Sequence, residues 1–216
     1  LGYATPNFAL EREAAQILSL FDGSRSIEEL SEHFGADVAA EKFLEYVRFL
    51  DKQRLLYSEY FKTYAARQEN EFEQQDKRSP TSNGISYPGE KEELIEYLDQ
   101  AFTDNEQYTG NGQTNGQAVK ALYAPHIDPR VGMDSYVKSF SALQNLSPKR
   151  VVILATSHYA GFYPETYTDK PFILSDKTFA LPHGEVPADQ QTIETLSKQK
   201  EELGITLQDR AHRIEH

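Results

Sequence analysis

Apolar positions fall into two regimes along this chain. Up to about residue 57 they recur at three- and four-residue spacing, the mark of amphipathic helices. Residues 11–21 place Ala14, Ala15, Leu18 and Phe21 on one face, and Gly23 follows as a left-handed cap. Ser26-Ile27-Glu28-Glu29 has the form of a capping box, in which the Ser26 hydroxyl takes one orphan amide and Glu29 reaches back to another. That predicts a short helix over 27–34, ended by Gly35. A longer helix over 38–52 carries Phe43, Val47 and Leu50 at helical spacing, and 54–57 reads as a closing strand. Helix, turn, helix, longer helix, strand is the order of a winged helix-turn-helix, expected over residues 1–66.

Residues 67–83 are polar and then turn-rich, and read as a linker, although their first part can extend a helix from Tyr57. From Gly84 the pattern changes. A helix over 90–102 turns Leu94, Ile95, Leu98 and Phe102 inward. A loop rich in Gly, Asn and Gln follows over 103–117. Two apolar runs of strand length then appear, 121–128 and 150–159, each meeting a histidine at its end: His126 after Ala124-Pro125, and His158 after Thr156-Ser157. A helix over 133–143 separates them, so strand, helix, strand completes one βαβ unit with a parallel pair. Residues 160–189 look irregular. A helix over 189–203 leads to a strand at 204–207, and the chain reaches His212-Arg213-Ile214-Glu215-His216.

Ligands in open α/β sheets bind just beyond the carboxyl ends of strands. Two imidazoles delivered there from neighbouring strands can converge on one metal ion or act as an acid/base pair. The blander reading is a strand-end histidine bonded to a nearby carbonyl. His212 and His216, four apart, would share one face of a helix, yet without an H-E-x-x-H context a separate zinc site is disfavoured. Glu215 and His216 are expected to line the main pocket as acid/base groups or as supports for the ligands. His183 is expected at the rim, and His33 as a solvated helix residue.

Composition narrows the classes. The 216 residues allow one or two domains. A net charge of −12 argues against a general nucleic-acid binder, which needs a basic face. No apolar run is long enough to span a bilayer, and no secretory signal opens the sequence, so no membrane partner is expected. Cysteine is absent, which excludes disulfides and CxxC zinc sites within these residues and fits a cytoplasmic setting. The 38–52 helix mixes Glu41, Lys42, Glu45, Arg48 and Lys52, a charge pattern better suited to protein or peptide docking than to DNA.

The first segment resembles the PqqD-like peptide-recognition family in its stretches 17–23, 27–30 and 49–56, which implies a docking edge for a peptide. Five further stretches in order resemble the Memo family, whose bacterial members occur in a Memo and radical-SAM grouping (AmmeMemoRadiSam system protein B): Gly84-Ile85-Ser86-Tyr87-Pro88, Ala124-Pro125-His126, Leu154-Ala155-Thr156-Ser157-His158, Leu181-Pro182-His183-Gly184-Glu185-Val186-Pro187-Ala188-Asp189, and His212-Arg213-Ile214-Glu215-His216. The resemblance implies an α/β fold like that of class III extradiol dioxygenases, a sandwich around a mostly parallel sheet, here partial, over residues 84–216. It also implies a non-haem metal, iron or copper with zinc as the redox-silent alternative, held by His126 and His158, with a third ligand beyond His216. Tyr159 stands where the family carries a second His and keeps a hydrogen-bonding hydroxyl; with Glu215 and His216 it forms the expected catalytic set. The family domain is roughly twice the length of residues 84–216, so the remainder of a Memo domain or a second chain is expected to complete the sheet. Three functions follow: a metal-dependent oxidoreductase, a non-catalytic metal-binding adaptor that docks a peptide through its first domain, and a zinc hydrolase-like site.

Overall fold

A computed structural model of the chain describes residues 2–6, 9–12, 14–34, 40–143 except 110–118, and 146–216. The chain divides into two compact units, Leu1–Gln74 and Gln75–His216.

The first unit is helical. Helix α1 (Ala14–Leu18) is followed by the turn at Gly23, whose φ is +82°. Helix α2 (Ile27–His33) starts on the expected capping box, with Ser26 accepting from the Glu29 amide and the Glu29 side chain accepting from the Ser26 amide. Gly35, the expected stop, lies outside the described residues. Helix α3 (Ala40–Lys52) buries Phe43 and Leu50 and packs against α2, which buries Leu30. The expected strand at 54–57 is not formed. Arg54 takes φ +60°, and the Leu55 amide donates back to the Leu50 carbonyl. The chain therefore turns, and Tyr57 is left 81% exposed. No strand occurs among the described residues of this unit, so they show no wing. Ser58 then caps a fifteen-residue helix, α4 (Glu59–Glu73), which buries Ala65 and Phe72. The stretch expected to begin a linker at residue 67 is thus its last two turns. Its polarity reflects the solvated face of a helix rather than a loop.

In the second unit, β1 (Lys77–Arg78) lies inside the expected linker and pairs in parallel with residues 178–179, Arg78 opposite Phe179. Helix α5 (Lys91–Asp104) buries Leu94 and Ala101, whereas Ile95 and Leu98, expected inward, are about two-fifths exposed. The short α6 (Glu106–Thr109) opens the expected loop, whose remainder from residue 110 lies outside the described residues. Asp128 caps α7 (Pro129–Phe140), with Pro129 in the first turn, where its missing amide costs nothing. A 3-10 turn, Ser141–Leu143, extends it. Residues 160–189 are more regular than expected: a 3-10 turn at Ala160–Phe162, α8 (Pro164–Tyr167), β2 (Phe172–Ile173), and a hairpin of β3 (Thr178–Leu181) with β4 (Gly184–Val186). His183 sits in the two-residue hairpin turn. Asp189 caps α9 (Gln190–Lys198), and α10 (Lys200–Leu203) ends at left-handed Gly204. β5 (Ile205–Thr206) pairs in parallel with β2.

The sheets are small: β1-β3-β4, and β2-β5. Residues 121–128 and 150–159 run through the unit without strand pairing, so the expected parallel pair and sandwich are not formed among the described residues. Both runs read as strands because they are apolar, but pairing needs a neighbour for their amides and carbonyls. Val151, Val152, Ile153 and Leu154 are 67–83% exposed. No helix of the described residues is long and apolar enough to cross a membrane.

Candidate metal centre

Three histidines meet in the second unit. The ring centroids of His126, His158 and His216 are 4.8–4.9 Å apart pairwise, with planes within 26° of parallel. One ring nitrogen from each lies within 4.8 Å of the other two. Each arrives on a different segment, and each segment is fastened.

His126 precedes a loop pinned onto α7. The Tyr136 hydroxyl donates to the Ile127 carbonyl at 2.7 Å and accepts from the Ile127 amide at 3.2 Å. A Cβ on Gly132 would lie 2.4 Å from Ile127 Cγ2, so only glycine lets the loop approach the helix this closely. Asp128 accepts from the Arg130 amide, the Arg130 guanidinium and the Ser86 hydroxyl. Those Arg130 bonds hold its carboxyl well below the usual carboxylate range.

His158 is held by Glu215. The Glu215 carboxylate accepts from the His158 amide at 2.8 Å and from ring Nδ1 at 2.5 Å, and from the Ser157 hydroxyl at 3.4 Å. An ionised carboxylate is only an acceptor, so in the neutral form of the ring it is Nδ1 that carries the proton and Nε2 that has the lone pair. Glu215 is 7% exposed. Burial works to raise its pKa, but the hydrogen bonds from His158 and the positive charge that His158 and His216 can carry outweigh it. The carboxyl therefore ionises below its ordinary value.

His216 follows a 3-10 turn, Arg210–Ile214. The turn corrects the helical reading of 212–216: its pitch takes His212 away from His216, and His212 is not among the three converging rings. Arg78 Nε donates to the His212 carbonyl at 3.1 Å, and its Nη2 and the Thr81 hydroxyl both donate to the Glu215 carbonyl. Tyr159 stands beside His158 and is partly buried. It packs against the core of Tyr163, Tyr167 and Ala211, with its ring centroid 6.4 Å from that of His158. His126 and His158 lie together although neither run is paired as a strand, and His216, expected in the pocket as an acid/base group, brings a third ring beside them. Arg78 and Thr81 were missed, because the polar and turn-rich composition of 67–83 concealed β1.

The donor set suits a metal ion. Three imidazoles can each offer a neutral nitrogen, and one is already oriented by a carboxylate, as metal-bound histidines usually are. Nitrogens about 2.0–2.1 Å from one ion stand roughly 3–3.5 Å apart, so the rings must close by up to about 1.5 Å on binding. The side chains of His158 and His216, 38% and 50% exposed, have room for that movement. A cavity of about 570 Å³ opens beside the rings, lined among others by Arg78, Tyr87, Asp128, Tyr136 and Phe179.

The unit mixes helices and short strands and brings three imidazoles together beside an open cavity. Residues 78–216 match the Memo-like protein family model, and the chain belongs to that family. It is similar to a protein of Aquifex aeolicus (strain VF5) described as "MEMO1 family protein", 27% identical over 203 residues that cover 92% of this chain and 50% of the relative. The chain thus spans about half the length of the curated relative it matches. No solved structure matches it.

Proposed function

We propose that the second unit holds a non-haem metal ion, iron or copper, through His126, His158 and His216, and that the site serves oxidoreductase-type chemistry on a small molecule bound in the adjoining cavity. The convergence of the three rings carries the reading. Such an ion supplies open coordination positions and redox chemistry. The chain's own contributions are distinct from it. Glu215 orients the His158 ring, Tyr136 holds the loop behind His126, and His126 and His216 line the cavity where a small molecule would sit. His216 thereby moves from the acid/base role to a ligand role, and Tyr159 to the packing of the core.

The test is titration of the apo chain with Fe(II), anaerobically, or Cu(II), followed by mass analysis of the metal-loaded protein. One equivalent is expected, and His126→Ala or His158→Ala should each lower the affinity by at least tenfold. Stoichiometric binding that survives both substitutions would sink the proposal.

The exposed run Val151–Leu154 supports a partner reading as well. Further polypeptide of the Memo type, whether from a longer chain or a second one, would add strands along this run. The first unit offers no strand edge among its described residues, so nothing observed favours the peptide-docking adaptor over the metal site.

A further inference from the structure

The segment that delivers His216 and Glu215 is short, polar and non-helical, yet two of the three rings depend on it. His216 is its last residue, and His158 is oriented by the Glu215 carboxylate. The Glu215 amide closes the turn on the His212 carbonyl at 3.3 Å, which leaves that oxygen a second lone pair, and the Glu215 carbonyl lies past the end of the turn; both carbonyls also take side-chain donors. Both donors come from residues 78 and 81. Arg78 spans the turn, with Nε on His212 and Nη2 on Glu215, while Thr81 adds a second bond to the Glu215 carbonyl at 2.7 Å. Arg78 is itself anchored: its backbone lies in β1 against β3, and its guanidinium sits 5.2 Å over the Phe179 ring. A planar guanidinium offers two donors at fixed spacing from one head, which an ammonium cannot do.

Resting on the metal-site reading above, we propose that Arg78, with Thr81, is a positioning residue for the metal centre: a clamp on the 212–215 backbone that sets where His216 stands and, through Glu215, how His158 is turned. Neither residue touches the ion. The clamp ties the site to the β1-β3-β4 sheet, so the three rings are assembled by a contact between residues more than 130 positions apart.

The experiment uses Co(II) as the probe, on the whole chain, because its visible absorption reports ligand number and geometry. Arg78→Ala and Thr81→Val are compared with wild type for Co(II) dissociation constant and for the spectrum at saturating metal. His126→Ala, His158→Ala and His216→Ala are measured beside them. Removal of groups that orient ligands typically weakens metal binding by about 10–100-fold. That range is expected for Arg78→Ala, with about 3–10-fold for Thr81→Val, and an altered saturated spectrum in both. Arg78→Lys, which keeps the charge without the two-pronged head, should recover only part of the loss. A purely structural contact would lower the melting temperature of the apo protein and leave the saturated spectrum unchanged; that result overturns the proposal. If Arg78→Ala does not fold, Thr81→Val decides by the same two readouts, since it is nearly isosteric and removes one hydrogen bond. Loss of Co(II) binding in the histidine variants, with wild-type affinity and spectrum in both clamp variants, refutes the clamp and leaves the metal site standing. Unchanged binding in the histidine variants refutes the metal site itself.

Discussion

Replacing Lys177 by Met should cost the second unit several kcal/mol. Lys177 and Asp209 are 3% and 1% exposed, and the ammonium lies 3.3 Å from Asp209 Oδ1. The other carboxylate oxygen accepts from the Ser175 hydroxyl at 2.8 Å. At an effective dielectric constant of about 20, two unit charges at this separation attract by about 5 kcal/mol. Met fills a similar volume and removes the need to desolvate an ammonium, but it leaves the buried Asp209 charge without its ammonium partner, with the Ser175 hydroxyl and the weaker pull of Arg78 and His212. Breaking one side of a buried pair typically costs about 3–5 kcal/mol. For a unit of this size that corresponds to a fall of roughly 10–15 °C in melting temperature. The assay is urea unfolding at pH 7 followed by circular dichroism, with Lys177→Met alone and combined with Asp209→Leu. The double variant should recover most of the loss, because a well-packed apolar pair can replace a buried ion pair at little cost. A single-variant loss under about 1 kcal/mol would show that water reaches the pair and that the burial argument is wrong.

Three further outcomes are expected. Gly204→Ala should destabilise more than Gly84→Ala in urea melts: both sites have positive φ, costing about 1–2 kcal/mol for a Cβ, but at Gly204 that atom would also meet Pro171 Cδ at 2.8 Å, whereas at Gly84 nothing lies within 4 Å. Burial lowers the His212 pKa from its ordinary value, ahead of the opposing pull of Asp209. The unfolded chain then takes up this proton first, so stability should fall as pH drops below about 6.5, towards the lower folded-state value, and His212→Asn should flatten that part of the stability-pH curve. Ile153→Lys should change the intrinsic stability by less than about 0.5 kcal/mol, since Ile153 is 82% exposed, while reducing any concentration-dependent association seen by light scattering.

The fold was legible wherever one local rule decided it. The Ser26 capping box, the Gly23 turn and the buried face of Phe43 and Leu50 all follow from neighbouring residues, and all are present. Strands were read less well, because a strand is a relation between segments. Residues 150–159 carry an apolar run as strong as any in the chain yet find no partner among the described residues. Lys77-Arg78 carries no apolar signal and is paired, because β3 offers its edge at that point. Burial of 77–78 against 178–179 is a tertiary fact that a window of ten residues does not contain.

The site divides in the same way, and the division bears on how it works. Each histidine announces itself by residue type and by the small or turn-forming residues beside it, so His126, His158 and His216 could all be placed near one pocket from the sequence. The groups that hold them leave no such trace. Glu215 acts on His158 across 57 positions, Tyr136 on Ile127 through its hydroxyl, and Arg78 on two backbone carbonyls that any residues at 212 and 215 would supply equally. A carbonyl has no sequence signature, so the side chain that binds it has no visible counterpart. Ligand positions are fixed by such contacts to within the fraction of an ångström that metal bonds demand. If the proposed site holds a metal ion, the groups it would touch can be found by reading histidines, while the precision of its seat would depend on residues, such as Arg78, whose contacts appear only when the backbone they grip is in view.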